Sequence, residues 1–268
     1  MVEIEEYNKP AFDKDEYLWK YLDMHKFLSF ILKKELFFTR LDKFEDPIEG
    51  VTMHSLASKR FFNKQIKYEE MGEGLDEELK QSYLRTQKHY LENADEQTTK
   101  SQITQFANCW FMSKKESIAM WKLYSNRDSV AIKVKPENII NIVKSNAVKI
   151  IDAQNKYKLF YDKVSYLDLI PFDLFNIQKS KSPFSSMKKD TSYLHENEFR
   201  FGVAKNSNGI FKESFSITIP EIFTDESFGI VTFPNMENWK IENLRALLRI
   251  YKLEDKLTES QLSLRTIR

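Results

Sequence analysis

Two glutamates and an arginine are spaced two residues apart in the sequence YLHENEFR, from Tyr193 to Arg200. Side chains alternate along a strand, so a strand here would place Glu196, Glu198 and Arg200 on one face and Phe199 on the other. A second carboxylate close by raises a carboxyl pKa unless a cation compensates, and such an arrangement suits an active site. The alternative is an edge strand whose charged face is solvated and salt-bridged. For an isolated E-x-E-x-R motif, this alternative is the favoured interpretation.

Lysines precede this motif in a segment that also contains several serines. They are Lys179, Lys181, Lys188 and Lys189, followed by Asp190. Ammonium and hydroxyl groups both bind phosphate oxygens, so such a loop is able to hold a phosphate-bearing ligand over the Glu-Glu-Arg strand. A solvated loop is the more common role of a lysine run.

Cysteine and histidine chemistry has little support in the sequence. Cys109 is the one cysteine, so the chain forms no internal disulfide and no thiolate zinc cluster, and its apolar neighbours predict a buried, unreactive thiol. The four histidines are far apart and no pair has ligand spacing on a helix face, so we expect no histidine metal site. The glycine-rich nucleotide loops and the serine-hydrolase motif are absent from the sequence.

Charge and hydropathy argue against bulk binding to two broad classes of partner, although a local basic patch stays open. The chain has 41 Lys and Arg against 40 Asp and Glu, which argues against bulk electrostatic binding to nucleic acid or to an anionic membrane. No window approaches the roughly twenty apolar residues of a membrane span. The acidic first residues lack the apolar core of a signal peptide. We therefore expect a cytoplasmic protein without a membrane partner.

The hydrophobic periodicity predicts one α+β domain over residues 1–268, with a mixed or mainly antiparallel central sheet and flanking helices. Phe106 to Met112 is a strong strand candidate. A helix-rich stretch at about 56–105 predicts a helical insertion in the first half. A C-terminal helix is expected from Glu237 to Tyr251, with Asn235 as its cap.

Three separated motifs resemble the bacterial family catalogued as domain of unknown function 2971. They are D-P-x-E-G at 46–50, M-W-x-x-Y at 120–124 and E-x-E-aromatic-R at 196–200. A weaker likeness in the opening and closing segments extends the resemblance over nearly the whole chain. The family usually has a tryptophan before its E-x-E, where this chain has Tyr193, and a glycine after M-W-x-x-Y, where this chain has Ser129.

The E-x-E on a strand, the N-terminal helix with its short following strand and the aromatic cluster also resemble the ADP-ribosyltransferase fold. In that superfamily a glutamate binds the ribose of NAD and stabilises an oxocarbenium-like transition state, while a neighbouring glutamate orients the acceptor. The resemblance implies that Glu198 is the catalytic carboxylate and Glu196 its partner, with Arg200 beside them. An anion close to a developing cation lowers the barrier by electrostatic preorganisation.

The same resemblance implies residues that bind NAD as a substrate. Trp121, Tyr124 and Tyr193 are the candidates for stacking on nicotinamide. Tyr21, Arg40 and Ser129 are the candidates for counterparts of the superfamily's Ser-Thr-Ser motif and first-strand Arg or His. Asp46 is a further candidate, for binding a ligand hydroxyl or a metal. For Asp46 a turn at Asp-Pro is the alternative interpretation.

The predicted function is an NAD-consuming ADP-ribosyltransferase-like protein, either a bacterial toxin or a phage-defence effector, with a protein or nucleic-acid acceptor. One alternative is a non-catalytic sensor or partner-binding defence protein of the same fold, with a cognate partner protein. The other is a metal-dependent nuclease in which Asp190, Glu196 and Glu198 bind magnesium. The nuclease interpretation is the weaker one, because Arg200 stands where such sites usually have a lysine.

Overall fold

A computed structural model describes residues 3–5, 10–64, 76–147, 157–169, 184–205 and 213–262. Within these ranges the chain forms a mixed, mostly antiparallel sheet with flanking helices, so the predicted α+β class is confirmed. None of the helices in these ranges is long and apolar enough to cross a membrane.

The described residues contain twelve strands and six α-helices. The strands are β1 (Glu3–Glu5), β2 (Tyr17–Leu22), β3 (Glu35–Arg40), β4 (Gln105–Ser113), β5 (Val130–Val134), β6 (Tyr157–Lys163), β7 (Ser165–Leu167), β8 (Lys188–Asp190), β9 (Glu198–Lys205), β10 (Ser214–Thr218), β11 (Gly229–Thr232) and β12 (Leu257–Thr258). The helices are α1 (Met24–Lys33), α2 (Met53–Lys64), α3 (Glu77–Thr104), α4 (Ile118–Tyr124), α5 (Pro136–Ala147) and α6 (Asn238–Ile250).

The main sheet forks at β4. Its strand order is β1-β6-β9-β4-β2-β5-β11-β12. In addition, β3 pairs with β4, and β10 pairs with β3. β9 covers one edge of β4 from 105 to 111. On the other edge β3 pairs with 106–107 and β2 with 111–113. Residues 108–110 of β4 therefore have no partner among the described strands on that edge, because β2 and β3 diverge there.

The hydrophobic core lies on one face of this sheet, under α1, α5 and α6. Phe199, Phe201 and Val203 of β9 are buried in it, as the alternation of the sequence predicts. A smaller apolar cluster on the opposite side joins β2, β5 and β11 to α4. The second face of β9 presents Glu198 and Arg200, so the sheet separates the apolar core from the polar residues of the sequence motif.

The predicted helical insertion at 56–105 corresponds to α2 and α3, and residues 65–75 between them lie outside the described residues. Lys179 and Lys181 of the predicted lysine loop also lie outside, whereas Lys188 and Lys189 belong to β8. The predicted cap of α6 is wrong. Glu237 is the N-cap of α6, and Asn235 has a left-handed backbone with φ of 57° two residues earlier.

Gly202 allows a close approach between β9 and β6. A Cβ at this position would lie 2.0 Å from Cε2 of Phe160, whose ring stacks on Phe184 with centroids 3.8 Å apart. We expect Gly202→Ala to lower the free energy of unfolding by about 1–3 kcal/mol through overpacking, measured by urea denaturation. Gly229→Ala is the control, because its Cβ would meet only the flexible end of Lys133, at 2.9 Å. Equal effects of the two substitutions would contradict this explanation.

Candidate functional site

A cavity of about 230 Å³ lies at the fork, between β2, β4 and β9. Its walls are largely aromatic, formed by Trp19, Tyr21, Phe44, Trp110, Phe111 and Tyr124. Its polar side chains are Lys20, Lys189, Glu196, Glu198 and Arg200. An apolar, partly enclosed site with a few convergent charged groups is the usual form of a small-molecule site.

Arg200 is the buried centre of the charged end. Its guanidinium donates to both carboxylate oxygens of Glu198, each at 2.8 Å, and to both oxygens of Glu49, at 2.5 and 3.0 Å. It also donates to the carbonyl oxygen of Ser186 at 2.6 Å. All five N–H donors are therefore engaged within the protein. Burial alone would lower the pKa of Arg200, but the two carboxylates raise it well above its usual value.

The D-P-x-E-G segment places the Glu49 carboxylate next to the Arg200 guanidinium. Asp46 accepts the N–H of Ile48 at 2.9 Å, which forms the turn, and Gly50 has a φ of 76°. Glu49 is only 1% exposed, and burial raises the pKa of its carboxyl although Arg200 opposes that shift. The segment therefore holds Glu49 against Arg200, which lines the charged end of the cavity, while neither Glu49 nor Asp46 is itself a lining residue.

Glu198 begins β9 and pairs across the strands with Phe111, while Arg200 pairs with Cys109. Burial alone would raise the pKa of Glu198, but Arg200 and Lys189 lower it below its usual value. Cys109 lines the cavity and the residue has intermediate exposure, so it is not fully buried as its apolar neighbours predicted. Its pKa is raised, chiefly by desolvation and also by Glu198, which keeps it a protonated, unreactive thiol.

Glu196 is not on the strand. It ends a 3₁₀-helix from Thr191 to Glu196, and Asn197 has a left-handed backbone with φ of 35° before β9 begins. Asn197 is held there by Met112, because its Nδ2 donates to the Met112 carbonyl at 2.5 Å and its own carbonyl accepts the Met112 N–H at 3.0 Å. The prediction that Glu196 shares a strand face with Glu198 and Arg200 is therefore wrong.

Glu196 nevertheless reaches the same cavity, from the end of its 3₁₀-helix. Its two carboxylate oxygens accept hydrogen bonds from the Tyr124 hydroxyl and the Lys189 ammonium, each at 2.5 Å. Lys189 Nζ lies 3.8 Å from Glu198 Oε2 as well, so it bridges the two glutamates. Burial alone would lower the pKa of Lys189, but Glu198 and Glu196 raise it. Desolvation and Glu196 raise the pKa of the Tyr124 phenol.

These contacts join Glu49, Lys189, Glu196, Glu198 and Arg200 into one ion-pair cluster. Three of its members are carboxylates and two are cations. When every member is ionised, the cluster carries one excess negative charge at the end of the cavity.

The sequence candidates divide into those that line the cavity and those that do not. Tyr21, Tyr124, Glu196, Glu198 and Arg200 line it. Trp121 does not line the cavity but packs behind Tyr21, with the two rings edge-to-face and their centroids 4.8 Å apart. It is fully buried, and its Nε1 donates to Glu116 at 2.8 Å. Tyr193 lies beside Lys189, whose Nζ is 4.3 Å from the ring centroid.

The two remaining polar candidates are bound elsewhere. Arg40 donates to Asp42 at 2.6 and 2.8 Å, and Ser129 exchanges hydrogen bonds with Asn126. Neither Arg40 nor Ser129 lines the cavity. Both belong to local structure around turns.

Sequence reasoning gave no role to Lys20, which lines the cavity, or to Glu49, which binds the lining residue Arg200. The D-P-x-E-G motif contained Glu49, but nothing local identified a partner 151 residues away. The sequence did contain a signal for Lys20. In the strand YLWKYL, Lys20 lies on the same face as Leu18 and Leu22, at a position where an apolar core residue is expected.

The described ranges hold no group of three His, Cys, Asp or Glu side chains placed to bind a metal ion. Asp190, the third acid of the nuclease interpretation, accepts backbone N–H groups of Ser192 and Leu169, each at 3.0 Å. Glu196 and Glu198 face cations of the protein instead. This geometry gives the nuclease interpretation no support.

No family model, no curated protein and no solved structure matches this chain. The resemblances noted in the sequence therefore remain predictions. What can be said about function depends on the cavity, its aromatic walls and its ion-pair cluster.

Proposed function

We propose that the chain is an ADP-ribosyltransferase-like protein that binds NAD in this cavity and cleaves the bond between nicotinamide and ribose. One observation carries the proposal. The carboxylates of Glu196 and Glu198 both contact Lys189, at 2.5 and 3.8 Å, at one end of a cavity with aromatic walls. The resemblance to the ADP-ribosyltransferase fold implies the same two glutamates as the catalytic pair.

The ion-pair cluster suits a reaction that develops positive charge. Cleavage of a glycosidic bond passes through an oxocarbenium-like state, which nearby carboxylates stabilise. Carboxylates that are fixed and shielded from water stabilise such a charge more strongly than water does, because they need no reorganisation. In the proposed reaction Glu198 stabilises the ribosyl cation and Glu196 orients the acceptor.

The aromatic walls suit nicotinamide, the leaving group of the proposed reaction. The nicotinamide ring of NAD is planar and carries a positive charge, and aromatic faces attract such rings. Tyr124 is 48% exposed and therefore accessible to a ligand. The cavity of about 230 Å³ is smaller than pockets for drug-sized ligands, about 300–1,000 Å³, so the nicotinamide end would enter and the adenosine would stay outside.

The acceptor and the biological setting follow from the same proposal. A protein or nucleic-acid acceptor would approach the ribose from the mouth of the cavity, as expected of a bacterial toxin or a phage-defence effector. The near-neutral charge of the chain gives a nucleic acid no general electrostatic attraction.

A second candidate is a non-catalytic sensor that binds a ligand in the same cavity, with a cognate partner protein. The observation in its favour is that Arg200 donates to both oxygens of Glu198 at 2.8 Å. A carboxylate neutralised in this way serves to hold structure, and it stabilises a new cation less than a free one does.

Incubation of the purified chain with NAD distinguishes the candidates. Nicotinamide release is followed by chromatography, with and without protein and nucleic-acid acceptors, and NAD binding by calorimetry. We expect binding together with release. Binding without release under any acceptor condition would favour the sensor, and the absence of NAD binding would contradict the transferase proposal.

A further inference from the structure

Lys20 occupies a position in β2 that the alternation of the strand assigns to the core. Its neighbours on the same face, Leu18 and Leu22, are buried in the main hydrophobic cluster. Lys20 itself lines the cavity. Lysine rarely occupies such a position without a paired charge. Its placement therefore calls for a specific partner or a specific role.

The fork in the sheet is what allows Lys20 to reach the cavity. Its Nζ donates to the carbonyl oxygen of Cys109 at 2.8 Å, in the part of β4 that β2 and β3 leave unpaired. The same Nζ lies 5.4 Å from the ring centroid of Trp110. No carboxylate of the described residues forms an ion pair with it. One hydrogen of the amine is thus directed to Cys109, and the nitrogen keeps no fixed anionic partner.

The cavity is therefore lined by two lysines whose pKa values are shifted in opposite directions. Lys189 is paired with Glu196 and Glu198, which raise its pKa. Burial lowers the pKa of Lys20, and the charge of Lys26 lowers it further, while Cys109 and Glu198 oppose the shift. A desolvated lysine without a close anion has a larger neutral fraction, and the neutral amine is a nucleophile.

We propose that Lys20 is a nucleophilic amine that forms a Schiff base with a small aromatic aldehyde bound in the cavity. The amine lone pair forms the C–N bond while the carbonyl π pair moves to oxygen. The oxygen then leaves as water with the two amine protons, and a C=N bond remains. A further proton from solvent gives the iminium, whose N–H can still donate to the Cys109 carbonyl.

Two features of the cavity favour this product. The walls are aromatic, so a planar aldehyde contacts them over its faces and edges. The iminium is a cation, and the ion-pair cluster carries excess negative charge when it is fully ionised. The proposal does not depend on NAD cleavage, because it needs only the cavity and the amine.

The test is reductive trapping of the intact protein with benzaldehyde and cyanoborohydride near neutral pH, followed by peptide mapping. We expect the adduct at Lys20 to form at least about tenfold faster than at the exposed lysines Lys26 and Lys43. The advantage should shrink as the pH rises, because the exposed amines then lose their protons too. Labelling spread over the lysines according to their exposure would overturn the proposal.

Two variants complete the test. Lys20→Met should abolish the fast adduct, and Lys88→Met, at a side chain on α3 that is 75% exposed, should leave it unchanged. Lys20→Arg keeps a donor for the Cys109 carbonyl but cannot form an imine, so it replaces Lys20→Met if that variant does not fold. A fast adduct that persists in the folded Lys20→Arg protein would overturn the proposal. Nicotinamide release is measured separately, so failure here is distinguishable from failure of NAD cleavage.

Discussion

Arg200→Met should lower the free energy of unfolding by about 3–5 kcal/mol, because it leaves two buried carboxylates without their cation. The side chains of Arg200 and Glu49 are 0% exposed and that of Glu198 is 6% exposed. Water therefore cannot replace the lost hydrogen bonds. The measurement is urea denaturation followed by circular dichroism.

Arg40→Met is the matched control for this loss. Arg40 also pairs with a carboxylate, Asp42, but both side chains have access to water. Its removal should cost about 0–1 kcal/mol. Replacing Glu49, Glu198 and Arg200 together by apolar residues of similar volume should recover most of the stability. If Arg200→Met costs no more than Arg40→Met, the ion-pair cluster does not hold the fold together.

The cost of Arg200→Met should also depend on pH. In the wild type the pKa of Glu198 is lowered, so its contribution to stability is present above the ordinary glutamate pKa and is lost as the pH falls through the folded value. Without Arg200 the buried glutamates have raised pKa values, so the variant gains stability as the pH falls. The gap between the two proteins should therefore shrink in acid, and a gap that is constant with pH would contradict the electrostatic explanation.

Glu198→Gln should slow nicotinamide release about a hundred- to a thousandfold in the proposed reaction, or roughly 3–4 kcal/mol in activation free energy. Glutamine keeps the size of the side chain and removes the charge that faces the ribosyl cation. Glu196→Gln should slow release less, or should reduce transfer to the acceptor more than cleavage of NAD. Single-turnover release of nicotinamide and label transfer measure the two steps.

Stability must be measured beside these rates. The amide NH₂ of a glutamine at 198 would face the donating N–H groups of Arg200, so Glu198→Gln should also be less stable. Rates are therefore compared at a temperature at which circular dichroism shows each variant folded. Glu237→Gln, at the exposed carboxylate of the α6 N-cap residue, is the control and should leave the rate unchanged.

Two outcomes would change the interpretation of Glu198. A folded Glu198→Gln protein with the wild-type rate would mean that Glu198 is not the catalytic carboxylate. A Glu198→Gln protein that cannot fold would mean that the cluster serves structure, and Glu196→Gln would then be the informative variant, since Tyr124 and Lys189 can both adapt to a glutamine.

Local periodicity was enough to predict the fold class and the inward face of β9. Phe199, Phe201 and Val203 alternate with Glu198 and Arg200, and only one of those two sets can enter an apolar core. The helices α2 and α3 and the strand β4 could be predicted for the same reason. Each depends on residues close together in the sequence.

Only the tertiary structure shows which residues these polar and charged side chains contact. Glu196 leaves the strand because Met112, 85 residues away, holds Asn197 in a left-handed turn. Arg200 is neutralised by Glu49, 151 residues away, and Lys20 reaches the cavity because β2 and β3 diverge from β4. The sequence by itself determined which faces are apolar, because side-chain direction is set by each residue's immediate backbone. It could not determine which charges meet, because that depends on strand order and on the fork in the sheet.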